Sequence, residues 1–223
     1  MKPGSKIQAP ALAALLALPL LAAACGRERP APPPPTSAEP VVETLRKLHV
    51  LDAEGKVVVT FRWDEDEVQL FFNEDGKRRY LRSRLGKGRQ RRWNERGVGP
   101  VALVRTNPKA TAFTLRSVDG SELLWRIKYG ERVALFRDHA EKSGFDIRQR
   151  RDKGYNVTTE EGSELGGVKV VAKSKRVQIT DPEGELVYKA VKNTPVSKIY
   201  GVLLAPDLDP MVRYILMAEM LVR

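Results

Sequence analysis

The stretch that most limits what this chain can fold into is MVRYILMAEMLVR, residues 211–223. Asp209 just before it is a good N-cap. Pro210 suits the first helical position, where its missing N–H leaves no bond unmade. Apolar residues follow at 211, 212, 214–218 and 220–222, and only Arg213 and Glu219 are charged before the last residue. Those two charges do not line up as a polar stripe. A helix that is apolar nearly all round is either enclosed by protein or crosses a membrane. These residues rise only about 20 Å as a helix, against a hydrocarbon core of about 30 Å. The segment is therefore too short to span and must be enclosed, and the preceding chain must enclose it. The charges at Arg213 and Glu219 should then find partners or reach an opening.

The preceding chain reads as strands. In KVVVTFRW, Val57, Val59, Phe61 and Trp63 alternate with Val58, Thr60 and Arg62. ELLWRIKYG and GELVYKAVK alternate in the same way, each with one apolar face and one face carrying basic residues. That is the antiparallel pattern with one side buried and one side wet. Turns punctuate the runs at Asp52-Ala53-Glu54-Gly55, Asn73-Glu74-Asp75-Gly76, Val118-Asp119-Gly120 and Asp181-Pro182-Glu183-Gly184. Asp and Asn start such turns through side-chain bonds to the backbone, and Gly supplies positive φ at their ends. Residues 86–100 read as a Gly- and Arg-rich loop. Residues 137–167 are weakly patterned, with a short helix expected near Asp138–Ser143. The expected architecture is mainly β (α+β): a closed antiparallel barrel of about twelve strands, within residues 41–223, around a central hydrophobic C-terminal helix at 210–223.

The repeated acidic-Gly hairpins and the ending DPMVRYILMAEML make the chain similar to the tubby C-terminal-like superfamily, which includes phospholipid scramblases and plant LURP-one-related proteins. The resemblance covers residues 45–223. It implies a barrel threaded by its final helix, and a family habit of binding phosphoinositides through basic residues. No individual ligand position carries over from it.

The first forty residues read differently. Lys2 and Lys6 precede an Ala/Leu/Pro run from Ala9 to Ala24, which ends LAAA before Cys25. A basic start, an apolar run and small residues before a cut site make a secretory signal over 1–24. Cys25 is the only cysteine, so no intrachain disulfide can form. Its setting resembles the lipobox of bacterial lipoproteins, with the leucine, Leu21, one place further back than is usual. The resemblance implies lipidation of Cys25 and a membrane anchor in the bacterial cell envelope. With Gly26 rather than Asp next, it implies the outer membrane where the host has two. Residues 26–40 hold six prolines, so 25–40 read as an extended tether with a reach of about 3.1 Å per residue.

Removing 1–24 takes away two positive charges and no acid, so the formal net charge falls from +11 to +9. The positive charge concentrates in KRRYLRSRLGKGRQRR, residues 77–92, with nine Lys or Arg and no acid. Arg78, Tyr80, Arg82 and Arg84 fall on one strand face, and Leu81 and Leu85 on the other. Lys87, Arg89, Arg91 and Arg92 follow, and then Trp93. Arginine forks suit phosphate and carboxylate oxygens, and an aromatic suits a headgroup boundary. Arg78, Arg82, Arg84, Lys87, Arg89, Arg91, Arg92 and Trp93 are therefore the candidate anion- or lipid-binding residues. The expected partners are the membrane through Cys25, an anionic lipid or envelope polymer, or an envelope protein docked on the barrel as a scaffold. Nucleic acid is not expected as a physiological partner of an exported protein, despite the basic balance. His49 and His139 are the only histidines, and the sequence carries no HExxH, GxSxG, P-loop or dinucleotide fingerprint. The run Asp64-Glu65-Asp66-Glu67 lacks EF-hand spacing and reads as a solvated turn. A non-catalytic protein with no cofactor and no metal is expected.

Overall fold

A computed structural model describes residues 46–139, 143–171, 176–190, 197–206 and 208–223. The signal at 1–24, Cys25 and the tether lie outside the described residues. Residues 42–223 form one compact unit.

The first strands are β1 (Arg46–Asp52), β2 (Val57–Trp63), β3 (Glu67–Glu74), β4 (Lys77–Arg84), β5 (Gln90–Glu95), β6 (Gly99–Thr106) and β7 (Ala112–Arg116). They continue as β8 (Leu123–Tyr129), β9 (Val133–Asp138), β10 (Gly144–Gln149), β11 (Tyr155–Thr159), β12 (Glu164–Val171), β13 (Arg176–Thr180) and β14 (Leu186–Ala190). Each pairs antiparallel with the next, and β1 pairs with β14 through Val50 opposite Ala190, so the sheet closes on itself. The expected closed antiparallel barrel is present, with fourteen strands rather than about twelve. Strands also form in the two segments that lacked a clear pattern. Residues 86–100 form β5 and the start of β6, and 144–171 form β10, β11 and β12. The short helix expected near Asp138–Ser143 does not start there: Asp138 ends β9 and donates its N–H to Ser143 O at 3.0 Å across the hairpin, and residues 140–142 lie outside the described residues.

The turns form as their residues dictate. Lys56 N–H donates to Asp52 Oδ1 at 2.7 Å, and Glu185 N–H to Asp181 Oδ1 at 2.8 Å. The β3–β4 turn puts both Asp75 and Gly76 at positive φ (50° and 73°), the arrangement that matches strand twist in a tight hairpin.

An eight-stranded barrel is filled by its own side chains; a larger one leaves a lumen. Here two helical segments fill it. The 3₁₀ helix Ser197–Leu204 buries seven of its residues against β10–β13. Gly201 is needed for that approach, because a Cβ there would sit 2.7–2.9 Å from the side chains of Ile147 and Val157. The C-terminal helix α1 spans Pro210–Leu221, capped by Asp209, whose Oδ1 accepts from Val212 N–H at 3.1 Å. Every residue from Tyr214 to Leu221 is buried, so no face of this stretch meets solvent. Inward side chains such as Val59, Phe61, Leu70, Leu81, Trp93 and Phe113 complete the core. The enclosed helix is the expected one. Among the described residues, no helix is long and apolar enough to cross a membrane.

Candidate anion-binding face

The period of two in β4 decides where its cations go. Leu81 and Ser83 point into the barrel and are buried, so Arg78, Tyr80, Arg82 and Arg84 point out. The ladder sets Tyr80 opposite Phe71 of β3 and Arg82 opposite both Gln69 of β3 and Asn94 of β5. Phe71 and Tyr80 form a tilted aromatic pair with centroids 4.8 Å apart. Arg62 of β2 lies 4.9 Å and Arg78 5.9 Å from the Phe71 centroid, close enough for cation–π attraction. Arg92 of β5 and Arg96 in the turn after it are exposed beside this group. Arg62, Arg78, Arg82, Arg84, Arg92 and Arg96 make no ion pair among the described residues. Three clefts follow the row. The first, of about 1170 Å³, has Phe71, Arg78, Tyr80, Arg82, Arg96 and Val98 in its wall. The second, of about 450 Å³, lies among Arg82, Arg84 and Arg92. The third, of about 410 Å³, lies among Lys87, Arg89, Arg91 and Arg223.

Two of the eight candidate residues are not on this face. Trp93 is fully buried (0% exposed) and cannot sit at a headgroup boundary. Its Nε1–H donates to Glu219 Oε1 at 3.0 Å, inside the barrel. Arg91, two residues back on β5, points the same way, with its side chain 14% exposed and its Nη1 3.2 Å from Glu219 Oε2. Arg223 adds a second guanidinium at 2.6 Å from the same oxygen and lies 4.6 Å from the Phe113 ring centroid. Glu219, itself fully buried, is thus the polar anchor of α1, and Arg91 and Trp93 are its receptors. Arg213 is partnered at the other end, its Nη2–H donating to Ala205 O at 2.7 Å, while its buried Nε–H has no partner among the described residues. The alternation of Arg91, Trp93 and Glu95 was the signal for an inward face; it is visible only if 90–95 is read as a strand rather than a loop. The aromatic side chains on the outer face are Phe71 and Tyr80, both half-buried.

Arg79, inward on β4 near the barrel end, is also consumed. It donates to Glu95 at 2.7 and 2.5 Å, pairs with Glu74, and touches Met211 Sδ at 3.5 Å. The bonds to Glu95 and Glu74 raise the Arg79 pKa, and the bond from Arg79 holds the Glu95 carboxyl below its ordinary value. The outward acid Glu67 stands opposite Arg84 and is hydrogen-bonded by Gln69. Asp64 is occupied by its own turn, accepting from Asp66 and Glu67 N–H at 2.8 Å each.

His49, outward on β1, shares a 2.9 Å hydrogen bond with Thr60. Partial burial, then the nearby charges of Lys47 and Arg62, hold its pKa below the ordinary histidine value. Among the described residues no group of three His, Cys, Asp or Glu side chains is placed to hold a metal ion.

The chain is thus a plugged antiparallel barrel with one strongly cationic outer face. No protein-family model, curated protein or solved structure matches it.

Proposed function

We propose that this chain is a non-catalytic lipoprotein of the bacterial envelope, held at a membrane through lipid on Cys25, whose barrel binds a phosphate-bearing envelope component through the outer face of β3–β5. The observation that carries this reading is the row of exposed arginines around Phe71 and Tyr80, none of them in an ion pair among the described residues. Unspent guanidiniums on a rigid sheet are preorganised for forked hydrogen bonds to phosphate oxygens. Each cation near an anionic surface contributes about 1 kcal/mol, and the effect fades within a Debye length. The lipobox-like leader and the proline-rich tether support placement of the barrel near an envelope surface. The likeness to tubby-like proteins agrees with an anion-binding role.

Flotation of residues 26–223, which lack Cys25, with vesicles tests the reading. We expect binding to phosphatidylglycerol vesicles over phosphatidylcholine vesicles at about 0.1 M salt. We expect the preference to vanish in the triple variant Arg78→Glu, Arg82→Glu, Arg84→Glu. Equal partition into both vesicles, unchanged by the variant and with no binding of soluble polyphosphate, would refute it.

A further inference from the structure

We infer that the cationic clefts form one continuous track for a linear polyanion, a chain of repeated phosphate groups without bases, rather than a dock for a flat bilayer; this rests on the phosphate-binding reading above. The clefts share walls. Arg82 and Asn94 belong to both the first and the second, and Gly86 and Arg91 to both the second and the third. Along β4 the outward positions recur about every 6.7 Å, so Arg78 to Arg84 covers about 20 Å. The path then passes Gly86 and reaches Lys87 and Arg89 at the barrel mouth. Arg91 and Arg223 of that third cleft are committed to Glu219, but Lys87 and Arg89 make no ion pair among the described residues. Few acids interrupt the track: Glu95 is held by Arg79, and Glu67 faces Arg84 at the edge. The acidic turn 64–67 lies beside Leu85, whose N–H donates to Asp66 O at 2.5 Å, and it borders the track on that flank.

Two observations select the ligand. A bilayer is a surface, and a docking face for it carries apolar side chains that enter the interface. Among the described residues the only exposed large apolar side chains are Val57, Val98 and Val118, and only Val98 (70% exposed) is strongly so. A single polymer chain can enter the clefts, whereas a membrane plane cannot. Binding of a single-stranded nucleic acid needs open aromatic faces for successive bases. Here the aromatic pair is Phe71–Tyr80, both half-buried, with Arg62 and Arg78 held against Phe71.

Calorimetry on the full-length protein in detergent micelles, with triphosphate and with polyphosphate chains several times longer, tests the track. We expect the longer chains to bind tighter by at least an order of magnitude. The variants Arg78→Gln, at one end, and Arg89→Gln, in the third cleft, should each remove most of that gain while leaving the melting temperature unchanged. Loss in only one variant would reduce the track to a single local site and overturn the proposal. So would anionic vesicles out-competing the long chain, or single-stranded DNA of matched charge binding tighter. Vesicle binding with no length dependence would leave the phosphate-binding reading standing and remove the track. Absence of binding to both polyphosphate and vesicles would remove both.

Discussion

Glu219 shows how one residue settles the register of an otherwise apolar helix. Apolar packing is non-directional, so a helix made only of Ile, Leu and Met could rotate or slide inside the lumen. One buried carboxylate fixes both motions, because Trp93 and Arg91 of the barrel wall meet it in a single arrangement, with Arg223 at the helix's own end as a third donor. Breaking a buried pair leaves the remaining charges unpaired. Glu219→Ala is therefore expected to lower unfolding free energy by about 3–5 kcal/mol in urea titrations. A loss no larger than that of an exposed substitution would show that the cluster does not anchor the helix. His49 offers a second residue-scale test, this time of the outer face. Its lowered pKa comes first from burial and then from Lys47 and Arg62. NMR titration should find it below about 6.5, and Arg62→Gln should move it up. A histidine that titrates lower when folded disfavours protonation in the folded state. Its contribution is therefore complete above about pH 6.5 and is lost as pH falls through the folded value.

At the scale of elements, legibility followed local pattern. KVVVTFRW alternates without interruption, and its Val59 and Phe61 are in the core as β2. The final helix announced itself by having no polar stripe and by Asp209-Pro210 at its start. β5 did not, because glycines and arginines flank QRRWNE, and its inward positions include Arg91 and Glu95, residues that usually mark solvent. Their partners, Glu219 and Arg79, lie 128 and 16 positions away, so no local window could reveal that the charges were spent. Closure of the barrel through β1 and β14 has no local signature either, since the paired Val50 and Ala190 lie 140 positions apart in the chain. The helix that was most legible is also the element the barrel can least lose. Tyr214, Ile215, Leu216, Met217, Met220 and Leu221 are all buried. At about 1.5–3 kcal/mol each, their removal costs about 9–18 kcal/mol, comparable with the 5–15 kcal/mol that holds a whole domain together. Truncation after Pro210 should abolish the near-UV circular dichroism and the cooperative melt. A truncated chain that kept both would show that the sheet closes without its plug.

For the whole molecule, the distribution of charge is at odds with stability. Residues 1–41 hold four of the 39 basic and two of the 28 acidic side chains, so the compact unit carries a formal +9. Arg78, Arg82 and Arg84 stand opposite Asn73, Gln69 and Glu67 on β3, so like charge accumulates along β4, where outward positions recur about every 6.7 Å. The inner charges behave oppositely: Glu219, Glu95 and Glu74 are each paired. Around β3–β5 the barrel thus spends Glu219, Glu95 and Glu74 inside and leaves Arg78, Arg82 and Arg92 outside without an ion pair among the described residues, whereas Arg148 and Arg150 elsewhere pair with Asp146 and Asp152; the arrangement works against folding and suits the proposed binding role. Salt separates the two effects. Raising ionic strength from about 0.01 M to about 0.15 M shortens the screening length from about 30 Å to about 8 Å, which relieves repulsion among exposed cations but leaves buried pairs largely intact. Relief of about 1 kcal/mol corresponds to about 2–4 °C for a domain of this size. Thermal melts should therefore rise with sodium chloride over that range, and rise further with phosphate at equal ionic strength if the outer face takes phosphate groups. The variant Arg78→Gln, Arg82→Gln, Arg84→Gln should melt at least as high as the parent at low salt and lose most of the salt response. A parent melt that falls with added salt would instead mean that surface ion pairs outweigh the repulsion, and the unopposed row would then not be the charge feature that governs this barrel.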